Sequence, residues 1–189
     1  MKTIIYVFAF AMFLFAGCAK DEMFEEPANS LQLKRANVPT PMKVDLCAVP
    51  DMESSFILKP IPGLDPTDPN NYITSRMIIS GNGTRLGKVN PEKSYYDVVV
   101  FELLMENNVP FLYQSGTGLL VGANGDSFSY NWWAKASLPT LDYIGGIELT
   151  EGTGKFEGCS GSGDIVGRFD EVNLINCWTS EGFIKFDSN

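Results

Sequence analysis

Two charged side chains stand in otherwise apolar segments and could therefore do chemistry. Glu102 lies among Val98, Val100 and Leu104. If that face of the strand lines the interior of the domain, the carboxyl group is desolvated. A desolvated carboxyl group suits a general acid or a group that binds a ligand. The alternative is a solvated position at the rim of a sheet. Arg76 could pair with Glu102 or clamp a ligand carboxylate, with a purely structural ion pair as its alternative. Both are candidate ligand-binding residues, and neither is assigned a catalytic role.

The adjacent tryptophans Trp132 and Trp133 are further candidates for ligand binding. Neighbouring residues of a β-strand point to opposite faces of the sheet, so one of the two indoles could be exposed. An exposed indole can stack on a sugar or another flat ligand. Packing under a loop or against a neighbouring subunit is the alternative.

Glycines cluster in residues 151–163, EGTGKFEGCSGSG, and suggest at first a loop that cradles phosphate. The spacing argues against this, because Lys155 lacks a glycine at the required distance before it and is followed by Phe156 instead of Ser or Thr. We expect instead a tight hairpin or bulge, where glycines adopt positive φ or approach other backbone closely and Phe156 packs inward. The glycines of this structural motif are Gly152, Gly154, Gly158, Gly161 and Gly163.

The chain has four cysteines and no histidine. In an oxidising compartment we expect one disulfide among the last three cysteines. The candidate pair is Cys159 and Cys177, and a bridge to Cys47 or three buried thiols are the alternatives. Because no CxxC motif and no histidine occur, the sequence predicts no metal site and no cofactor. The net charge of −9 without a basic patch argues against nucleic acid as a partner.

The first eighteen residues are typical of an export signal. Lys2 precedes an apolar run at 4–15, which is shorter than the ~20 residues of a membrane span, and Gly17 and Cys18 follow. This pattern predicts a lipoprotein signal peptide over residues 1–17, with Cys18 as the lipid attachment site and the outer membrane as the destination. A plain signal peptide cut nearby and an uncleaved anchor are the alternatives.

The remainder divides into a predicted flexible tether over residues 18–43 and one β-domain over residues 44–189. Short β-type runs are bounded by Gly, Pro, Asn and Asp, and helical periodicity is weak throughout. An antiparallel barrel or sandwich is the expected fold class. The predicted strands are 44–49, 54–58, 72–80, 95–106, 109–121, 127–136, 143–150, 163–169, 172–178 and 183–186. Both faces of 95–106 are largely apolar, so we expect something to cover the outer face. A neighbouring subunit of a homo-oligomer is the favoured cover, and a packed loop or the tether are the alternatives.

Residues 152–158, GTGKFEG, resemble the glycine hallmark of the allene oxide cyclase and dirigent barrels of plants, and of bacterial lipoproteins of unassigned role with the same calycin-like barrel. Residues 81–88, GNGTRLGK, resemble a second hallmark of those lipoproteins, with Arg85 where relatives often have histidine. After the first hallmark, Cys159 stands where alanine is common. The resemblance implies an eight-stranded antiparallel barrel with a central apolar cavity, and a trimer as in plant members. No local match carries the cyclase's catalytic residues over.

Residues 19–22, AKDE, resemble the signal that sends many lipoproteins of the Bacteroidetes group to the outer face of the outer membrane, and an anchor facing the periplasm stays open. Three functions compete. A lipid-anchored barrel that binds a small apolar or amphipathic ligand ranks first. A structural or adhesive surface module ranks second, and an isomerase or cyclase acting in the barrel ranks third.

Overall fold

The computed structural model describes residues 38–51, 58–60, 65, 67 and 72–186. The predicted signal peptide, Cys18, most of the predicted tether and all but the last residue of the predicted strand 54–58 lie outside the described residues. The described strands are β1 (Thr40–Pro50), β2 (Leu58–Pro60), β3 (Tyr72–Thr74), β4 (Arg76–Gly83), β5 (Gly87–Lys88), β6 (Tyr95–Glu106), β7 (Val109–Val121), β8 (Ser127–Ser137), β9 (Asp142–Thr153), β10 (Cys159–Asp170) and β11 (Ile175–Phe186).

Eight of the strands form a closed ring. Their order is β1, β11, β10, β9, β8, β7, β6 and β4, and β1 pairs with β4 to complete the circuit. Every neighbouring pair is antiparallel. The short β5 extends the sheet beside β4, and β2 and β3 form a separate two-stranded sheet. The prediction of an all-β, antiparallel fold is therefore confirmed, and β1 begins at Thr40, inside the segment predicted as tether.

β6 and β7 match the predicted strands residue for residue, whereas the end of the chain differs from the prediction. The two strands predicted at 172–178 and 183–186 are replaced by one continuous strand, β11, which begins at Ile175. The predicted gap at 179–182 includes Gly182, which pairs with Gly163 in the middle of the ladder. A Cβ atom on Gly182 would overlap the carbonyl oxygen of Ser162, so glycine here allows close approach of two strands instead of ending one.

One end of the ring is packed with aromatic and aliphatic side chains. Phe128 and Phe156 are both 1% exposed, and their rings meet edge to face with centroids 5.1 Å apart. Burial of each such ring stabilises the fold by roughly 1.5–3 kcal/mol. Phe156 lies in the single turn of 3-10 helix Gly154–Phe156 between β9 and β10.

The glycine motif forms the turn that closes this end. Gly154 and Gly158 have φ of +61° and +66°, which glycine adopts without steric cost. A Cβ atom on Gly152 would overlap the backbone of Phe156. The motif thus has the tight-turn geometry and the inward Phe156 that its spacing predicts.

The disulfide joins Cys47 of β1 to Cys177 of β11, so the predicted pairing of Cys159 with Cys177 is wrong. Cys159 begins β10 at the opposite end of the ring, where its register partner is Phe186, and its side chain is 6% exposed within the apolar core. Cys47 is the direct neighbour of Cys177 because the first strand of the ring pairs with the last. Helices long and apolar enough to cross a membrane do not occur in the described part of the chain.

Candidate functional site

The other end of the ring holds a cavity of 450 Å³ to which all eight strands contribute side chains. β8 supplies more of the lining residues than any other strand, and these include Trp132 and the small residues Ala134 and Ala136. Larger side chains at the two alanines would occupy this space. The aliphatic lining comes from Met77, Val98, Leu112, Ile147 and Ile165.

A polar cluster interrupts the apolar lining. The Asn176 amide group donates from Nδ2 to the Tyr96 hydroxyl oxygen at 2.9 Å, and its Oδ1 accepts from the Tyr143 hydroxyl group at 2.6 Å. All three residues line the cavity. The Tyr96 ring also packs edge to face on Trp132 and Trp178, with centroid separations of 5.0 and 5.9 Å. These contacts hold the phenol in a fixed position.

The phenols of this region stay protonated over the physiological pH range. Burial raises the pKa of Tyr96 to about 12, with the Asn176 hydrogen bond opposing the shift. Burial also raises the pKa of Tyr130 and of Tyr143, and the nearby Tyr96 adds to both shifts. The cavity therefore presents neutral hydroxyl groups, and no described lining residue carries a charge.

The mouth of the cavity is apolar and partly exposed. Leu138 and Leu174 are 38% and 53% exposed and both line the cavity. Leu141 and Leu174 have φ of +60° and +56°, a left-handed conformation that costs a non-glycine residue roughly 1–2 kcal/mol. Phe169 donates its backbone N–H to the Leu141 carbonyl oxygen at 3.0 Å, which holds one of these turns. Strained residues that persist in a fold commonly mark functional sites.

A β-bulge in β6 decides where the candidate Glu102 lies. Val98 pairs with Gly116 and Val100 pairs with Ser115, so Val99 is an additional residue in the strand. One additional residue reverses the in-and-out alternation beyond it.

Glu102 therefore does not share an inward face with Val98, and the structure supports the alternative for Glu102, a solvated position. Val98 before the bulge is buried, but after the bulge Phe101 is buried and Glu102 is exposed. Glu102 pairs with Tyr113 on the outside of the ring and does not line the cavity.

Arg76 forms a structural ion pair and also lies outside the cavity. Its Nε and Nη2 atoms donate to the two carboxylate oxygens of Asp97, each at 2.8 Å. Its guanidinium group lies 4.1 Å from the centroid of the Tyr95 ring. The Asp97 carboxylate raises the pKa of Arg76. The structural alternative for Arg76 is the one that the geometry supports.

The two tryptophans point to opposite faces, as predicted. Trp132 is 9% exposed, lines the cavity and donates its Nε1–H to the Thr117 carbonyl oxygen at 3.3 Å. Trp133 is 44% exposed on the outside. Of the four candidate ligand-binding residues, the structure brings only Trp132 to the cavity.

Sequence reasoning missed Tyr96, Tyr143 and Asn176. Tyr96 alternates with Val98 in the first part of β6, so the pattern before the bulge could have indicated it. Tyr143 and Asn176 stand near the starts of β9 and β11, where turn residues obscure the alternation. Within the described residues, no group of His, Cys, Asp and Glu side chains is arranged to hold a metal ion.

Comparison of the chain with protein-family models, curated proteins and solved structures finds no match.

Proposed function

We propose that this protein is a lipid-anchored envelope protein whose ring of strands is a calycin-like barrel that binds a small, largely apolar molecule. The observation that carries the proposal is the 450 Å³ cavity, lined mainly by apolar and aromatic side chains and reaching exposed residues at one end. Sites for small molecules are concave, mostly apolar and supplied with few polar groups. A cavity of this kind suits an apolar ligand that is poorly soluble in water.

The envelope location rests on the amino-terminal sequence. The basic start, the apolar run and the cysteine at position 18 support export and lipidation. The disulfide between Cys47 and Cys177 agrees with an oxidising compartment. An anchor at Cys18 would leave the residues before β1 as a tether between membrane and domain.

Titration with N-phenyl-1-naphthylamine, a neutral dye that fluoresces in apolar sites, tests binding. We expect the wild-type protein to bind it with saturation, and Ala136→Trp to weaken binding at least tenfold because the indole fills the cavity. Ile144→Trp is the matched control, since position 144 is exposed on the outside. Ala134→Leu gives a second filling variant, and circular dichroism checks the fold of each. Equal binding by all four folded proteins would refute the cavity as the site.

The outer surface favours a second function, a structural or adhesive module. Ile144 and Val166 face each other on β9 and β10, and they are 60% and 64% exposed. Trp133 lies on the same outer face, two pairs away along the ladder of β8 and β9. Such an apolar patch is typical of an interaction surface. Sedimentation of the Ile144→Lys variant and of the wild type measures self-association and tests this role. Self-association of the wild type that the lysine abolishes supports it. A monomeric wild type argues against a homo-oligomer.

The isomerase or cyclase hypothesis loses its candidate acid. Glu102 lies outside the ring, and the described lining residues include no carboxylate, ammonium group or thiol. The remaining polar groups in the cavity are phenols, amides and indoles, which bind and orient more readily than they transfer protons near neutral pH.

A further inference from the structure

The hydrogen-bond lengths around Asn176 assign the hydrogen atoms of the polar cluster. The 2.6 Å separation between Tyr143 Oη and Asn176 Oδ1 suits an O–H donor, and the 2.9 Å separation between Asn176 Nδ2 and Tyr96 Oη suits an N–H donor. The other candidate acceptor for Tyr143, the Cys177 carbonyl oxygen, lies at 3.4 Å. The amide orientation is therefore fixed, and Tyr96 accepts a hydrogen bond from it.

This assignment leaves the hydroxyl hydrogen of Tyr96 for another acceptor. Among the described residues no hydrogen bond donated by this hydroxyl group is present, and the side chain lines the cavity and is 7% exposed. Its burial keeps the phenol protonated, with the pKa raised to about 12. A buried donor without an acceptor is costly, so a group that accepts this hydrogen bond gains affinity.

Tyr130 supplies a second phenol beside the first. It is 5% exposed, it lines the same cavity, and the described residues provide no hydrogen bond for its hydroxyl group. Its ring lies over Gly118 of β7, and Gly118 pairs with Tyr130 on one side and with Tyr96 on the other. The two phenols thus line the same part of the cavity, one from β6 and one from β8.

The surroundings restrict what the acceptor can be. No described lining residue is cationic, and an ionised carboxylate or phosphate would lose its hydration without a counter-ion. A neutral carbonyl oxygen meets the requirement, because it accepts hydrogen bonds and costs far less to desolvate than an ion. The apolar remainder of the cavity suits a hydrocarbon or aromatic body.

We propose that the cavity binds neutral carbonyl compounds, ketones, aldehydes or esters with an apolar body, and that the Tyr96 hydroxyl group donates a hydrogen bond to the carbonyl oxygen. This inference rests on the proposed binding function and specifies the ligand class. The Asn176 amide group orients Tyr96, and the aromatic rings of Trp132 and Trp178 hold its ring.

Two matched fluorescent probes test the proposal: 6-propionyl-2-(dimethylamino)naphthalene, which has a carbonyl group, and 6-propyl-2-(dimethylamino)naphthalene, which lacks it. We expect Tyr96→Phe to weaken binding of the propionyl probe by roughly tenfold and to change binding of the propyl probe less than about twofold. Tyr113→Phe is the matched control, because it removes the same atom from a residue that does not line the cavity. It should leave both affinities unchanged.

The wild-type protein alone gives a second measurement that does not depend on how a variant folds. Infrared spectra of the bound propionyl probe, labelled with carbon-13 at the carbonyl, should show a lower stretching frequency than in hexane. If both probes bind, but the frequency equals that in hexane or Tyr96→Phe affects them equally, the carbonyl proposal is wrong and the binding function stands. If neither probe binds, the proposed function itself fails.

Discussion

Cys47 and Cys177 occupy directly opposed positions on β1 and β11 and are joined by a disulfide across 130 positions of sequence. The bond links the first and last strands of the ring at the end that holds the cavity. Cys177 also adjoins Asn176, whose amide group orders the polar cluster. The covalent link and the binding site are thus neighbours on β11.

Removal of this disulfide should lower the free energy of unfolding. A bond that closes so long a loop restricts the unfolded chain and contributes about 3–5 kcal/mol in the chain-entropy account. We expect the Cys47→Ala, Cys177→Ala double variant to unfold at lower denaturant concentration by that difference in free energy. Wild-type protein with a reductant should approach the variant, and the variant itself should not respond to the reductant. Unfolding of the wild type that is insensitive to reductant would contradict the expectation.

The bulge at Val99 predicts opposite results at two adjacent positions. Phe101→Ala should destabilise by about 3–5 kcal/mol, because it leaves a cavity in the core. Glu102→Gln should change the free energy of unfolding by less than about 0.5 kcal/mol, because the side chain is exposed. Urea unfolding of both variants measures the difference. A larger loss for Glu102→Gln than for Phe101→Ala would mean that the strand keeps its regular alternation.

The sequence predicts the strands of the middle of the chain well because their signals are local. β6 and β7 are bounded by turn residues and joined by Asn107 and Asn108, both at positive φ, which is the conformation that a two-residue hairpin requires. The single additional residue Val99 has no such local signal. Its position depends on how β6 meets β7, and every face assignment beyond it changes with it.

The candidate site was harder to predict than the fold, since its members come from distant parts of the chain. Tyr96 and Asn176 are 80 positions apart and meet only because the ring closes. The pairing of Cys47 with Cys177 has the same cause. Spacing along the sequence favoured Cys159, which the topology places at the far end of β10.

Two glycines that lie under aromatic rings give a matched pair of substitutions. A Cβ atom on Gly118 would overlap the buried ring of Tyr130, whereas a Cβ atom on Gly146 would lie 2.8 Å from Nε1 of the exposed Trp133. Trp133 can move into solvent, but Tyr130 is enclosed. Gly118→Ala should therefore destabilise by about 1–3 kcal/mol and weaken binding of the cavity probes, and Gly146→Ala should do less of both. Thermal unfolding and probe titration compare them, and the reverse order would be inconsistent with the packing.

The buried phenols predict a loss of stability in base. The pKa of Tyr96 rises from its ordinary value of 10 to about 12 in the folded protein, because burial disfavours the phenolate. Below pH 10 both states keep the proton and the full stability is present. Between pH 10 and 12 the unfolded chain releases the proton and the folded protein retains it, so the free energy of unfolding falls as pH rises, by about 1.4 kcal/mol per pH unit for one such group.

Tyr130 and Tyr143 shift in the same direction and steepen this decline. Tyr96→Phe should therefore remove about 1.4 kcal/mol per pH unit from the slope between pH 10 and 12, measured by urea unfolding at a series of pH values. Tyr113→Phe, which removes a hydroxyl group from the outer face, controls for the loss of a tyrosine as such. Parallel slopes for the wild type and Tyr96→Phe would show that the Tyr96 phenol ionises as readily in the folded protein as in the unfolded chain. Such a phenol would not be the enclosed, neutral hydrogen-bond donor on which carbonyl binding depends.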